Sequence, residues 1–194
     1  DRKTACLSTQ VGCRFGCAFC ASGKNGFTRN LRPGEILGQV LHILHRAGTP
    51  IHNVVVMGMG EPFDNLDATL DAMETLHSPD GTRIGSRKIT VSTAGAIPGL
   101  ERFTSLGTQM RLSVSLHAAD DALRSDLMPI NKIWPLSRLL DACARYTAVT
   151  GRRLTFEYLL LAGVNDSTRD AEKVAAIAKP LSAAVNLIPF SPVE

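Results

Sequence analysis

Apolar strand-like runs and amphipathic helical stretches take turns along almost the whole chain. The runs are Thr4–Ser8, Asn53–Met57, Lys88–Ser92, Met110–Ser115, Leu154–Leu160 and Ala184–Ile188. Helical periodicity falls between them at Pro33–Arg46, Leu66–Leu76, Pro98–Thr104, Asp121–Leu127, Leu136–Thr150 and Ser167–Lys179. Two helix starts carry explicit signals: Pro33 followed by Glu35, and Ser167 followed by Asp170 as a short-side-chain capping box. Strands that each feed a mostly helical crossover imply an α/β fold with a parallel sheet. Val54, Val55, Val56 and Met57 are apolar in unbroken succession, as a helix-covered parallel strand requires. A closed eight-unit barrel needs roughly 250 residues. Six units in 194 residues therefore predict a partial, laterally open (β/α)6 barrel of the TIM type. An open doubly wound sheet is the alternative. No internal repeat, low-complexity tract or linker divides the chain, so residues 1–194 are expected to form one domain. Either fold puts its chemistry at the C-terminal ends of the strands.

The unusual residues fall there. Cys13-Arg-Phe-Gly-Cys17-Ala-Phe-Cys20 is a C-x3-C-x2-C loop immediately after the first strand-like run. Spacings of four and three let three thiolates face one metal cluster from a single loop, and Gly12 and Gly16 permit its tight turns. A self-sufficient four-iron cluster takes four cysteines. With three at hand, one iron is left for an outside ligand. The competing reading is zinc, which would want a fourth Cys or His nearby. His42 lies inside a predicted helix and Cys6 lies back in the first strand.

A second group is Gly58-Met-Gly60-Glu61-Pro62 at the end of the second strand, where glycines let a ligand approach the backbone. Ser92-Thr-Ala-Gly95 follows the third strand, Ser115-Leu116-His117 the fourth, and Asn186 lies in the sixth. Taken singly, each has a plain structural reading, and a hydrogen-bonded core histidine is the ordinary fate of a residue such as His117. Their shared position at strand ends is what points to ligand contact.

Composition narrows the class. A net charge of +3 tolerates a polyanionic partner without demanding one, and 5% aromatic residues argue against a base-stacking module. No stretch approaches the roughly 18 apolar residues of a membrane span, and no signal peptide is legible. Five cysteines, three of them within eight residues, do not resemble a secreted disulfide framework, so a reducing cytoplasm is expected. The chain opens on Asp1 rather than Met and stops soon after Pro189, so a fragment of a longer protein is expected.

The cysteine loop after a first barrel strand resembles the signature of the radical S-adenosylmethionine (SAM) superfamily. That resemblance implies a 4Fe-4S cluster on Cys13, Cys17 and Cys20 whose open iron chelates SAM, which is then cleaved to a 5′-deoxyadenosyl radical. It implies Phe19 beside the adenine, Gly60 and Glu61 at the methionine amino group, and SAM contacts from Ser92, Ser115, Leu116, His117 and Asn186. For Phe19 a plain loop-packing role is the alternative.

Further segments narrow the likeness. Cys6-Leu-Ser-Thr-Gln-Val-Gly-Cys13, Gly26-Phe-Thr-Arg-Asn-Leu, Met57-Gly-Met-Gly-Glu-Pro62, Leu127-Met-Pro-Ile-Asn131 and Asn186-Leu-Ile-Pro-Phe together resemble the dual-specificity RNA methyltransferases. The resemblance runs over essentially the whole chain. It implies methylation of C2 of an adenosine in 23S ribosomal RNA and in transfer RNA, through a methyl-cysteine, with an electron donor such as flavodoxin or ferredoxin. Cys6 matches the cysteine that resolves the protein–RNA adduct, leaving a transient disulfide; its plain alternative is a buried strand thiol. The methyl-carrying cysteine and an acidic proton acceptor are expected outside residues 1–194, so this chain alone is not expected to complete the reaction. Cys143 matches no role and is expected in the core. Arg14, Lys24, Arg29 and Arg32, and the pair Arg152 and Arg153, are candidates for phosphate contact or simply a solvated surface.

Rival readings are the sister group methylating C8 of the same ribosomal adenosine, a radical SAM enzyme of another kind, and a non-catalytic iron–sulfur or zinc module. Pro62 after Glu61 favours the C2 group. Activators and maturases have no need of Cys6, and a ferredoxin-like carrier would want a fourth cysteine.

Overall fold

The computed structural model describes residues 2–24 and 26–191; Asp1, Asn25 and residues 192–194, the ends of the expected domain among them, lie outside. In chain order the elements are β1 (Thr4–Cys6), β2 (Gln10–Gly12), α1 (Ala21–Lys24), β3 (Phe27–Asn30), α2 (Pro33–Ala47), β4 (Asn53–Val56), α3 (Leu66–His77), β5 (Ile89–Thr93), α4 (Ile97–Ser105), β6 (Arg111–Ser115), α5 (Asp121–Leu127), α6 (Leu136–Thr150), β7 (Thr155–Leu160), α7 (Thr168–Ala178) and β8 (Ala184–Pro189). Short 3-10 turns cover Pro62–Asp64, Ser86–Lys88 and Pro129–Lys132.

Six strands form one sheet in the order β1-β4-β5-β6-β7-β8, every pairing parallel. Each strand therefore lies beside the next one in sequence. A doubly wound sheet would reverse direction at a switch point, and none occurs among the described residues. The sheet curls into a half-barrel, as the length of the chain predicts.

Alternate residues of the strands meet different surroundings. Val54, Val56, Ile89, Val91, Leu112, Val114 and Phe156 are essentially fully buried in one core with Ile36, Val40, Met73, Leu100, Phe103, Leu139 and Tyr146 of the helices. Burying each such side chain contributes about 1.5–3 kcal/mol before entropy is counted. Cys143 belongs to this core at 0% exposure. The residues between are in register across the sheet: Cys6 beside Val55, Val55 beside Thr90, Thr90 beside Arg111, then Ser92 beside Ser113, and Ser115 beside Glu157 beside Asn186. This polar face is the concave side of the half-barrel.

Local signals set the helix ends. Arg32 N–H donates to Glu35 Oε2 at 2.8 Å at the start of α2, and Asp170 N–H donates to Ser167 Oγ at 3.2 Å at the start of α7. Gly48 and Gly151 end α2 and α6 in the left-handed conformation. β1 stops at Cys6, short of the expected Ser8, because Ser8 turns aside: its N–H donates to Gln39 Oε1 at 2.9 Å and its Oγ accepts from Met59 N–H at 3.0 Å. The hairpin of β2 and β3 was not expected. Its first strand, β2, stands between β1 and the cysteine loop, which therefore follows β2 rather than the first barrel strand. Among the described residues no helix is long and apolar enough to cross a membrane.

Candidate active site

The cysteine loop is the long loop of that antiparallel hairpin, closed where Cys13 N–H donates to Gly26 O at 2.9 Å. Gly12 sits at the pinch with φ 79°, and a Cβ there would lie 1.8 Å from the Gly26 carbonyl oxygen. Within the loop Cys20 N–H donates to Cys17 O at 3.0 Å, and Ala18 N–H donates to Leu127 O at 2.9 Å, strapping the loop to the end of α5. Phe15, within the loop, is buried and lines the same cavity as the cysteines. The result is three partly buried free thiols, Cys13, Cys17 and Cys20, lining one cavity. Burial first, and then the neighbouring Cys20 and Cys13, push the Cys17 thiol up to about 12. Burial raises Cys13 as well. Among the described residues no three His, Cys, Asp or Glu side chains are grouped to hold one metal ion. A polynuclear cluster instead takes each thiolate on a different iron.

The cavity, ≈ 270 Å³, opens at the C-terminal ends of the barrel strands. From the β4 end come Gly58, Gly60 and Glu61. Gly60 has φ 102°, and a Cβ would meet Gln10 at 2.6 Å, so the backbone is pressed against its neighbour as only glycine allows. Glu61 is 2% exposed, and both its oxygens are engaged: Oε1 accepts from Phe63 N–H at 3.0 Å and Oε2 from Ala94 N–H at 2.7 Å. Its carboxyl thus ties the β4 end to the β5 end. Burial raises it to about 7 despite those bonds.

Ser92, at β5, and Ser115, at β6, also line the cavity. Leu116 does not; its side chain is fully buried in the core, and it contributes backbone alone, its N–H donating to Glu157 O at 3.0 Å. His117 is 6% exposed with φ 54°, edge-on to Phe19 with ring centroids 4.8 Å apart. Its Nδ1 accepts from Leu159 N–H at 3.0 Å. Burial, and then the charge of Arg124, lower its pKa to about 3, so the ring is neutral with its proton on Nε2. Asn186 is exposed beside the cavity, and its Nδ2 donates to Glu157 Oε2 at 2.7 Å. Cys6 is exposed on the concave face outside the cavity lining, which removes the buried-strand-thiol reading.

Four residues that sequence reasoning passed over complete the arrangement. Glu157 lines the cavity and accepts from Ser113 Oγ at 2.5 Å as well as from Asn186. A lone acid inside the apolar run of β7 was the signal available for it. Gln10 Oε1 accepts from Glu61 N–H at 2.9 Å. Asn165, 1% exposed, donates to His117 O and to Leu159 O, both at 2.7 Å, and accepts from Leu161 N–H. Arg124 is buried behind the β5 and β6 ends. Of the surface arginines, Arg14 pairs with Asp64 at 2.8 Å and lies over the Phe27 ring, and Arg29 pairs with Glu35 at 2.8 Å. Arg152 is spent on Gln109. All five cysteines are free thiols.

The family model for the Radical SAM superfamily matches residues 7–174, from the hairpin through most of α7. The chain belongs to the radical SAM superfamily. It is 48% identical over 192 residues to a protein of Desulforamulus reducens named "Probable dual-specificity RNA methyltransferase RlmN", covering 99% of this chain and 55% of that protein. A protein of the same name from Akkermansia muciniphila is 48% identical over 194 residues, covering 100% of this chain and 54% of the relative. The crystal structure of a radical SAM methyltransferase from Sphaerobacter thermophilus superimposes with a TM-score of 0.95 at 49% identity, over 99% of this chain and 57% of that one. The chain thus spans about half the length of the curated relatives it matches. Membership of the radical SAM superfamily implies SAM and a 4Fe-4S cluster as general properties. The residues present fit that pair of groups: three crowded thiols for an anionic cluster, and a cavity beside them rimmed by backbone and small polar side chains.

Proposed function

We propose that this chain is the catalytic core of a radical SAM enzyme that methylates C2 of an adenosine in 23S ribosomal RNA and in transfer RNA. The observation that carries the reading is the meeting of three thiols, the ends of β4, β5 and β6, and Glu157 of β7 on one cavity. Cys13, Cys17 and Cys20 hold the 4Fe-4S cluster, and SAM lies against Phe19, the Gly60–Glu61 backbone, Ser92, Ser115, the Leu116 backbone and His117, with Asn186 at the open side. Bound there, cluster and SAM supply a 5′-deoxyadenosyl radical, the kind of reagent an unactivated ring carbon requires.

The chain's own side chains prepare the cavity. His117, neutral, offers the Nε2 hydrogen towards a ligand while Leu159 occupies Nδ1. Glu157 aims Asn186. Cys6 is the resolving thiol of the reading, standing exposed on the concave face above which a substrate base would enter. Partial desolvation by its strand neighbours raises the pKa of that thiol, against an opposing pull from the Met57 backbone. The relatives' name carries the RNA assignment. Residues 1–194 are taken as one core domain of a longer enzyme working in the cytoplasm, with flavodoxin or ferredoxin as electron donor.

The test is electron paramagnetic resonance on the anaerobically reconstituted, reduced chain, with and without SAM. A four-iron signal that changes on adding SAM is expected. Stoichiometric zinc, or a cluster indifferent to SAM, refutes the reading. For the full-length protein, mass spectrometry of RNA digests is expected to find 2-methyladenosine, and 8-methyladenosine would move the chain to the C8 group.

A further inference from the structure

Arg124 is 1% exposed, yet among the described residues its guanidinium forms no ion pair. Its partners are all neutral: Nε donates to Leu116 O at 3.2 Å, Nη1 to Asn131 Oδ1 at 2.7 Å, and Nη2 to Ala94 O at 2.8 Å and Ser115 O at 3.0 Å. A buried charge is costly unless another charge compensates it. Four carbonyl dipoles orient this cation without neutralising it.

The opposite charge has an obvious place. Ala94 and Ser115, whose carbonyls Arg124 holds, line the cavity, so the guanidinium lies directly behind the cavity wall. The helix that carries Arg124 is strapped to the cysteine loop by the bond from Ala18 N–H to Leu127 O, and Met128, the residue after it, lines the same cavity as the thiols.

We propose that Arg124 is the fixed countercharge of the iron–sulfur site, a positioning residue that stabilises the anionic thiolate cluster and raises its reduction potential. The inference rests on the reading that Cys13, Cys17 and Cys20 hold such a cluster. The sign follows from charge alone, since a nearby cation favours the redox state carrying the extra electron. A purely mechanical role, bracing the β5 end against the β6 end, would leave the potential untouched.

The experiment is a redox titration of the cluster-loaded protein without SAM, followed by electron paramagnetic resonance. Arg124→Gln is expected to weaken reduction at least tenfold, a downward shift of about 59 mV for one electron. Arg124→Lys keeps the charge but not the fork of hydrogen bonds, so it is expected to stay near the wild-type potential while losing thermal stability. Asp121 is exposed, and its carboxylate opposes Arg124 through Asn131. Asp121→Asn keeps an acceptor for Asn131 and Leu136 and is expected to raise the potential. A loaded Arg124→Gln protein with an unshifted potential overturns the proposal, as does an Arg124→Lys protein shifted as far as Arg124→Gln. If Arg124→Gln takes up no cluster, an Asp121→Asn potential that fails to rise overturns it. A wild-type chain that takes up no cluster sinks the parent reading instead, and that failure is visible before any variant is made.

Discussion

Replacing Glu61 by glutamine removes one titrating group from the rim of the cavity while leaving its shape almost unchanged. Folding carries Glu61 from an ordinary 4.5 to about 7, because burial disfavours the carboxylate more than its bonds from Phe63 and Ala94 favour it. The folded state therefore holds an extra proton between those two values. Stability tied to this group is full below the lower value and is withdrawn as pH rises through the upper one. Between about pH 5 and about pH 7.5 the withdrawal amounts to about 2.5 kcal/mol.

His117 works in the opposite sense. Folding takes it from 6.5 to about 3, so the unfolded chain binds the extra proton and stability rises with pH up to the higher value. Over the same interval it returns about 2 kcal/mol. In the wild type the two nearly cancel. Glu61→Gln unmasks the histidine, and the variant's stability should rise by about 2 kcal/mol across the interval. Glutamine also turns its amide towards one of the two backbone N–H donors, which leaves that donor unpaired at about 1–3 kcal/mol. The variant should accordingly be the weaker protein near pH 5, with the gap closing by about 2.5 kcal/mol near pH 7.5. Urea unfolding of the iron-free chain, followed by far-ultraviolet circular dichroism, measures both. A gap of the same size at the two pH values would refute the assignment of a buried, proton-holding Glu61.

Other perturbations probe the scaffold around the cavity. Gly12→Ala drives a Cβ into the Gly26 carbonyl oxygen at a positive φ; a loss of about 3 kcal/mol or more, read by urea unfolding, should accompany poor iron uptake. Asn165→Ala strips the His117 and Leu159 carbonyls and the Leu161 amide of a partner and should cost about 2–4 kcal/mol in the same assay. Because Arg14 and Arg29 are already paired, Lys24→Ala and Arg32→Ala in the full-length protein should each lower the salt slope of RNA binding by about 1, with Arg14→Ala and Arg29→Ala changing it less. Equal slopes for all four, measured by fluorescence anisotropy, would mean that the ion pairs open on RNA.

What could be read in advance divides along a physical line. α5 and α6 match their expected spans because their ends are set locally, by the Asp120 side chain accepting from Leu123 N–H and by Gly151 at φ 63°. The barrel strands were legible because burial against helices demands apolar residues wherever they pair. β2 and β3 escaped because β3 is exposed along its whole length and has no apolar pattern, and the pairing is imposed by the pinch at Gly12. The strand-end rule located the cavity but could not orient what lines it. Glu61 was expected to offer its carboxylate to an ammonium group, yet both oxygens already hold the backbone of neighbouring strand ends. Arg124 was invisible for a related reason. An arginine between Leu123 and Ser125 reads as a solvated helix face until the β5 and β6 ends close over it. Charges buried without a charged partner follow from the tertiary arrangement alone, and they are the positions at which this fold departs furthest from what stability by itself would select.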